Sequence, residues 1–269
     1  MMGTGNSKRF EGCPVCDSED IVVLMSIQQM PVCCNRLWSS HEDALSAPKG
    51  DIRLGYCGVC SHVFNAAYES ALMDYDPQYE NSLHFSPRFQ FYARALVERL
   101  VQDYDLYKKD VIELGCGKGD FLGMLCRSGE NRGLGFDPTY QADRVDSGNN
   151  DQLRVIKDYY SDKYKGYSAD LICCRHVLEH IEDPRAFLNT IRKTIGHDSE
   201  TVVYFEVPNA MNTFKDMGIW DLIYEHCGYF SEVSLKHIFV ACGFEVLKVE
   251  TGFAGQFLCI DARPTEMSN

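Results

Sequence analysis

The sequence predicts an α/β fold with a mainly parallel sheet and a small cysteine-bearing module at its N-terminal side. Three observations predict it. Strand-like and helix-like segments alternate from about residue 108 onward. A glycine-rich turn, Gly115-Cys-Gly117-Lys-Gly119, joins the first of these strands to a helix start. Ahead of them stand two Cys-x-x-Cys pairs, with Cys16 and Cys57 separated by 41 positions.

The expected strands are Asp110–Leu114, Gly133–Asp137, Leu153–Lys157, Ala169–Cys174, Thr201–Val207, Phe244–Glu250 and Gln256–Asp261. Helices are expected at Asp120–Ser128, Pro184–Ile195 and Glu232–Cys242, the last closed by Gly243. From Phe89 to Leu106 apolar residues recur at Phe91, Ala95, Leu96, Leu100 and Val101, close to the helical period. Pro208–Tyr229 reads as neither helix nor strand and is expected to be an ordered loop over one sheet edge. The chain thus divides into a turn-rich, irregular module at 10–75, a helical connector or lid at 76–107 and the α/β domain at 108–263.

Composition narrows the function. Of 269 residues, 45% are hydrophobic and 24% charged, as in an ordinary globular protein. The formal charge of −13, with no basic patch, excludes nucleic acid as a natural partner. No apolar run approaches the length of a membrane helix, and the polar N-terminus lacks a signal-peptide core, so neither a membrane nor export is expected. Thirteen cysteines are too few for a disulfide scaffold, and the expected compartment is the reducing cytoplasm. Nothing in the sequence indicates an oligomeric state.

Cys13-Pro-Val-Cys16 and Cys57-Gly-Val-Cys60 form two knuckles. Each turn presents two thiolates in one direction, and two such turns complete a tetrahedral site for zinc; iron is the chemical alternative. A closed four-cysteine site has no open position for chemistry, so its expected role is to supply folding free energy. Cys33 and Cys34 are expected to be packed thiols. His41 and His62 are not needed as ligands.

In Asp110-Val-Ile-Glu113-Leu-Gly115-Cys116-Gly117-Lys-Gly119-Asp120, glycines let the backbone approach a ligand where a β-carbon would intrude. Glu113 and Asp120 bracket the loop with negative charge, which suits a cationic ligand and opposes a pyrophosphate. Asp137, at the end of the second strand, is placed to accept hydrogen bonds from both hydroxyls of a ribose. S-adenosylmethionine (SAM), with its adenosine and sulfonium, meets these constraints. The stretch resembles motif I of class I methyltransferases, and the likeness continues through Asp137-Pro138, Asp158-Tyr159 and Cys174-Arg175-His176-Val-Leu-Glu-His180. The resemblance implies a Rossmann-like methyltransferase sheet. It also implies SAM bound by Glu113, Gly115, Cys116, Gly117, Asp137, Pro138, Asp158, Tyr159, Arg175 and His176.

A four-cysteine module before such a domain resembles the sugar C-methyltransferases that modify nucleotide-linked 4-keto deoxysugars. Tyr79-Glu-Asn-Ser82 and Tyr224-Glu225-His226-Cys-Gly-Tyr229-Phe230-Ser231 carry this likeness. It implies His226 as the catalytic base, Glu225 as its neighbour, Tyr79 in the substrate pocket and His180 as a further active-site histidine. Two departures stand out. The family commonly has a further C-terminal domain, whereas this sequence ends soon after its last strand. Position 224 is Tyr where many relatives carry His.

The leading expectation is a SAM-dependent methyltransferase of a small molecule, with C-methylation of a sugar or natural-product intermediate. N- or O-methylation is the alternative, since a hydroxyl can use the same base and a free amine can need none. A nicotinamide oxidoreductase is disfavoured by Asp120. A non-catalytic SAM-binding zinc interaction protein is disfavoured by His226 and Glu225. His84 and Phe85 belong with Tyr79 to an expected aromatic lid.

Overall fold

A computed structural model describes residues 12–34, 36–73, 83, 85–141, 152–196 and 200–265. Tyr79, the Asn-Ser pair that follows it and His84 lie outside the described residues.

The large sheet is built from β4 (Asp110–Leu114), β5 (Arg132–Phe136), β6 (Leu153–Ile156), β7 (Leu171–Arg175), β8 (Val202–Pro208), β10 (Phe244–Gly252) and β11 (Phe257–Pro264). Its order is β10-β11-β8-β7-β4-β5-β6. The pairs from β6 through β8 are parallel, while β11 runs antiparallel to both β8 and β10. Central β7 and β8 are buried along their whole length, which explains their near-continuous apolar sequence. Neighbouring residues serve opposite faces. Leu171, Val202 and Tyr204 join one core, and Ile172, Val203 and Phe205 join the other.

On the first face lie α2 (Pro87–Asp103) and α3 (Asp120–Gly129). Ser86 caps α2 by accepting from the Phe89 N–H, with Pro87 at its first position. Phe89, Ala93, Leu96, Leu100 and Val101 form its buried stripe. On the second face lie α4 (Pro184–Ile195), capped by Asp183, and α6 (Glu232–Ala241), opened by a capping box between Ser231 and Ser234. Gly243 follows α6 with a φ of 79°, a conformation that costs glycine nothing.

The N-terminal part departs from the irregular module expected. β1 (Ile21–Pro31), β2 (Lys49–Cys57) and β3 (Val63–Asn65) form an antiparallel sheet that also takes in β9 (Gly228–Tyr229). Strand β1 was hard to read because it lies on the edge, with Val22, Val23, Leu24 and Met25 all exposed and no alternation of burial to betray it. Pro208–Tyr229 is also more than a loop over a sheet edge. It contains α5 (Ala210–Phe214), and its last two residues pair with β3 through Val63–Tyr229 and Phe64–Gly228. Cys13, Cys57, Cys60, Phe64 and Phe230 consequently belong to the same core as Ile172 and Phe205. The small sheet is stitched to the large one through the segment that carries His226.

Candidate active site

A cleft of about 1080 Å³ opens at the carboxyl ends of β4, β5 and β7, where open α/β sheets place their ligands. Its floor begins at the glycine turn between β4 and α3. Gly115, Gly117 and Gly119 have φ values of 68°, 53° and 80°, which L side chains rarely adopt. A β-carbon on Gly115 would stand 2.3 Å from the Val177 side chain, while one on Gly117 would point into open space. That open space is where a ligand can rest against bare backbone.

Asp137 Oδ2 accepts from the Gly117 N–H at 2.8 Å, so this acid braces the turn. Its Oδ1 accepts from the Thr139 N–H at 2.8 Å and hydroxyl at 2.7 Å. A carboxylate offers about four acceptor positions, so three donors leave Asp137 with acceptor capacity toward the cleft. Glu113 is buried and accepts from the Leu122 N–H at 3.1 Å. Burial pushes its pKa up to about 8, against the pull of Arg175.

Arg175 ends β7 with its guanidinium 4.1 Å above the Phe121 ring. It donates to Glu206 Oε1 from Nε at 3.1 Å and from Nη2 at 2.7 Å. Burial opposes ionisation of Glu206, yet Arg175 and His176 hold it below the ordinary carboxylate range. Tyr92 and Tyr204 also donate to that carboxylate. Arg175 thus faces the cleft as a plane fixed from behind. Glu206 was not foreseen, although a lone acid within Val202–Pro208 was a usable signal. Asp158 accepts from the Tyr159 N–H, the Tyr164 hydroxyl and the Lys163 ammonium, and Tyr159 stands exposed at the rim. Gly115, Cys116, Gly117, Pro138 and His176 all line the same cleft, as do Glu113, Asp137, Asp158, Tyr159 and Arg175.

The opposite wall carries the histidines. His180 closes a 3-10 turn, Leu178–His180, ahead of α4. Its Nδ1 lies 3.0 Å from the Glu225 carbonyl oxygen, and His226 Nδ1 lies 2.9 Å from the Asp221 carbonyl oxygen. A carbonyl only accepts, so each Nδ1 carries the proton and each Nε2 keeps a lone pair. Burial lowers the pKa of His180 to about 4, and burial followed by the neighbouring His180 puts His226 well below its ordinary value. Both rings are therefore neutral near pH 7.

Glu225 does not line the cleft. Its side chain is fully buried and accepts from the Cys34 N–H at 2.8 Å, tying the small sheet to the histidine loop. The Glu225 carboxylate meets the Cys34 backbone, and the residue's own carbonyl accepts from His180. Cys34, expected to be packed, is exposed at the cleft wall. Tyr224 also turns away from the cleft. Its hydroxyl accepts from the Glu69 N–H at 2.9 Å, and its ring fills the space a β-carbon on Gly50 would need.

The four cysteines converge at the end of the β2–β3 hairpin. Cys13 and Cys60 have sulfurs 3.5 Å apart, as do Cys16 and Cys57, and all four sulfurs lie within 4.8 Å of one another. Zinc–sulfur bonds of about 2.3 Å place tetrahedral sulfurs roughly 3.8 Å apart, so the donor set and its spacing fit a closed S₄ centre. His62 packs at a tilt against Phe230, with ring centroids 4.7 Å apart, instead of joining them.

The methyltransferase-domain model matches residues 85–249, more than half of the chain. The chain belongs to the methyltransferase-domain family. Over 110 residues it is 29% identical to a ubiquinone biosynthesis O-methyltransferase of Erwinia tasmaniensis, covering 39% of this chain and 44% of that relative. The chain thus spans less than half of that curated relative's length. Among solved structures it is similar to the magnesium protoporphyrin IX methyltransferase of Synechocystis PCC 6803 with bound S-adenosylhomocysteine (SAH). That likeness has a TM-score of 0.50 at 18% identity and covers 66% of this chain and 84% of that one. A methyltransferase of calicheamicin biosynthesis in its SAH-bound form gives a TM-score of 0.50 at 19% identity, covering 65% and 54%. At these identities the structural likeness shows the fold, an α/β Rossmann-like methyltransferase sheet.

Proposed function

We propose that this chain transfers a methyl group from SAM to a small-molecule acceptor, at a carbon beside a carbonyl in a sugar or natural-product intermediate. One observation carries the reading: His226 faces the cleft with Nδ1 tied to a backbone carbonyl and Nε2 left to accept a proton. SAM supplies an electrophilic methyl on sulfur. The chain's residues do the rest. The Gly115–Gly119 turn and Asp137 hold the nucleoside end, and Glu113 lines the cleft behind the turn. His226 takes the proton from the acceptor carbon, while the Asp221 carbonyl and the neighbouring His180 ring fix the imidazole that does so. Alignment of the attacking atom with the methyl supplies much of the acceleration.

The sugar class rests on the Tyr224–Ser231 motif and on the four-cysteine module that precedes the domain. We assign that module, 10–75, a structural zinc ion on Cys13, Cys16, Cys57 and Cys60, followed by a connector at 76–107, to which Tyr79 belongs, and the SAM domain at 108–263. Cytoplasmic residence is part of the same reading and fits thirteen cysteines of which none is in a disulfide. No described helix is long and apolar enough to cross a membrane.

O-methylation is the second reading, favoured by the match to the ubiquinone O-methyltransferase. Incubating the protein with carbon-13 methyl SAM and separate pools of nucleotide-linked 4-keto sugars, catechols and amines tests both. NMR of the product assigns the methylated atom. A new carbon–carbon bond supports the first reading; a methyl ether overturns it in favour of the second.

A further inference from the structure

Glu179, His180 and His226 form a cluster of which the proposed proton abstraction uses only the two histidines. One ring nitrogen from each imidazole and one Glu179 oxygen lie within 4.8 Å of one another. All three residues line the cleft. They come from two separate elements, the turn after β7 and the loop before β9.

Two features distinguish this cluster from a chance meeting of polar groups. Glu179 is only 1% exposed, yet its Oε2 has no hydrogen-bond partner among the described residues. A buried carboxylate oxygen without a donor carries a large desolvation cost, which a cation removes. Both histidines also donate Nδ1–H to backbone carbonyls, Glu225 for one and Asp221 for the other. Metal-ligating histidines are commonly oriented this way, with the second nitrogen fixed as a donor and the first presented as a lone pair.

We propose that Glu179, His180 and His226 bind a first-row divalent transition ion of the Zn²⁺ class, on the acceptor side of the cleft. Two imidazoles with one carboxylate favour such an ion over Mg²⁺ or Ca²⁺, which prefer all-oxygen shells. Three protein ligands leave coordination positions open toward the acceptor, unlike the closed four-cysteine centre. The inference rests on the reading of this cleft as a methyl-transfer site, and it adds a second state to it. The His226 Nε2 lone pair holds either a proton or an ion, so occupation by the ion and proton abstraction exclude each other.

The test uses the full chain after a mild chelator wash that leaves one tightly held zinc. Co²⁺ alone is then titrated in and followed by visible absorption, with SAH binding measured on the same samples. The expected result is one further equivalent of Co²⁺ with the weak bands of nitrogen and oxygen ligation and no thiolate charge-transfer band. Glu179→Gln, which keeps size and shape, should weaken that equivalent more than about tenfold, and His226→Asn should do the same. Circular dichroism shows whether each variant is folded. No further equivalent, unchanged affinity in folded Glu179→Gln, or a thiolate band from Cys34 overturns the site. If SAH still binds when the cobalt result is negative, the metal site alone has failed. If the wild type binds no SAH, the methyl-transfer reading has failed, whatever the cobalt does.

Discussion

His180 and His226 meet edge to face, with ring centroids 4.9 Å apart and planes at 74°. One comes from the large sheet's domain and the other from the segment that continues into the small sheet through β9. The Glu225 backbone links them, because its carbonyl accepts from His180 while its own side chain reaches Cys34. The geometry of the cleft wall therefore depends on the docking of the N-terminal sheet.

If the acceptor is a carbon beside a carbonyl, His226→Ala should lower kcat by about 10²–10⁴-fold, the range for loss of a general base. SAM affinity should stay nearly unchanged. The same variant should slow exchange of the acceptor's proton with deuterated solvent, a step that needs no methyl donor. Normal exchange in the variant would take His226 out of the base role.

Glu225 acts through its hydrogen bond to the Cys34 N–H. Glu225→Gln keeps an acceptor oxygen and should behave like the wild type in thermal unfolding. Glu225→Ala removes a buried, charged acceptor and should lose about 1.5–3 kcal/mol. A stable Ala variant would show that the strut contributes nothing.

Glu113 should make stability depend on pH. Its folded pKa is about 8 against an ordinary value of 4.5, so between those values the folded chain keeps a proton the unfolded chain has released. Stability from this group is fully present below 4.5 and falls as pH rises toward 8, on the order of 1 kcal/mol per pH unit. Glu113→Gln should lack this slope. Denaturant unfolding of both proteins from pH 5 to 8 gives the difference, and parallel curves would contradict it.

Protein purified without added metal should hold close to one zinc, and Cys57→Ser should lose it. Because β3 pairs with β9, the loss should expose Gly228–Tyr229 to protease along with the N-terminal strands. Protection of Gly228–Tyr229 unchanged in a zinc-free chain would contradict the coupling.

The elements of the large sheet were legible because its central strands are short apolar runs and α2, α4 and α6 begin at side-chain caps. Asp110–Leu114 and Pro184–Ile195 fall where the pattern puts them. The glycine turn and the cysteine knuckles were legible because their spacing carries the chemistry. Glu225 was not, since a motif gives the order of residues and not the direction of a side chain. Strand β9 was hidden for another reason: two residues that pair across the chain with Val63 and Phe64 leave no local period. Glu179 stood beside His180 in the sequence, but its buried and unpartnered oxygen appears only when the fold is assembled.

Equilibrium binding of SAM, SAH and NAD to the wild type and to Asp137→Ala tests the central claim most directly. Asp137 braces the Gly117 turn at the cleft. The account predicts that SAM and SAH bind, that NAD binds far more weakly, and that Asp137→Ala costs about 1–3 kcal/mol of SAM affinity. NAD binding more tightly than SAM, or an unchanged SAM dissociation constant in the variant, would contradict it.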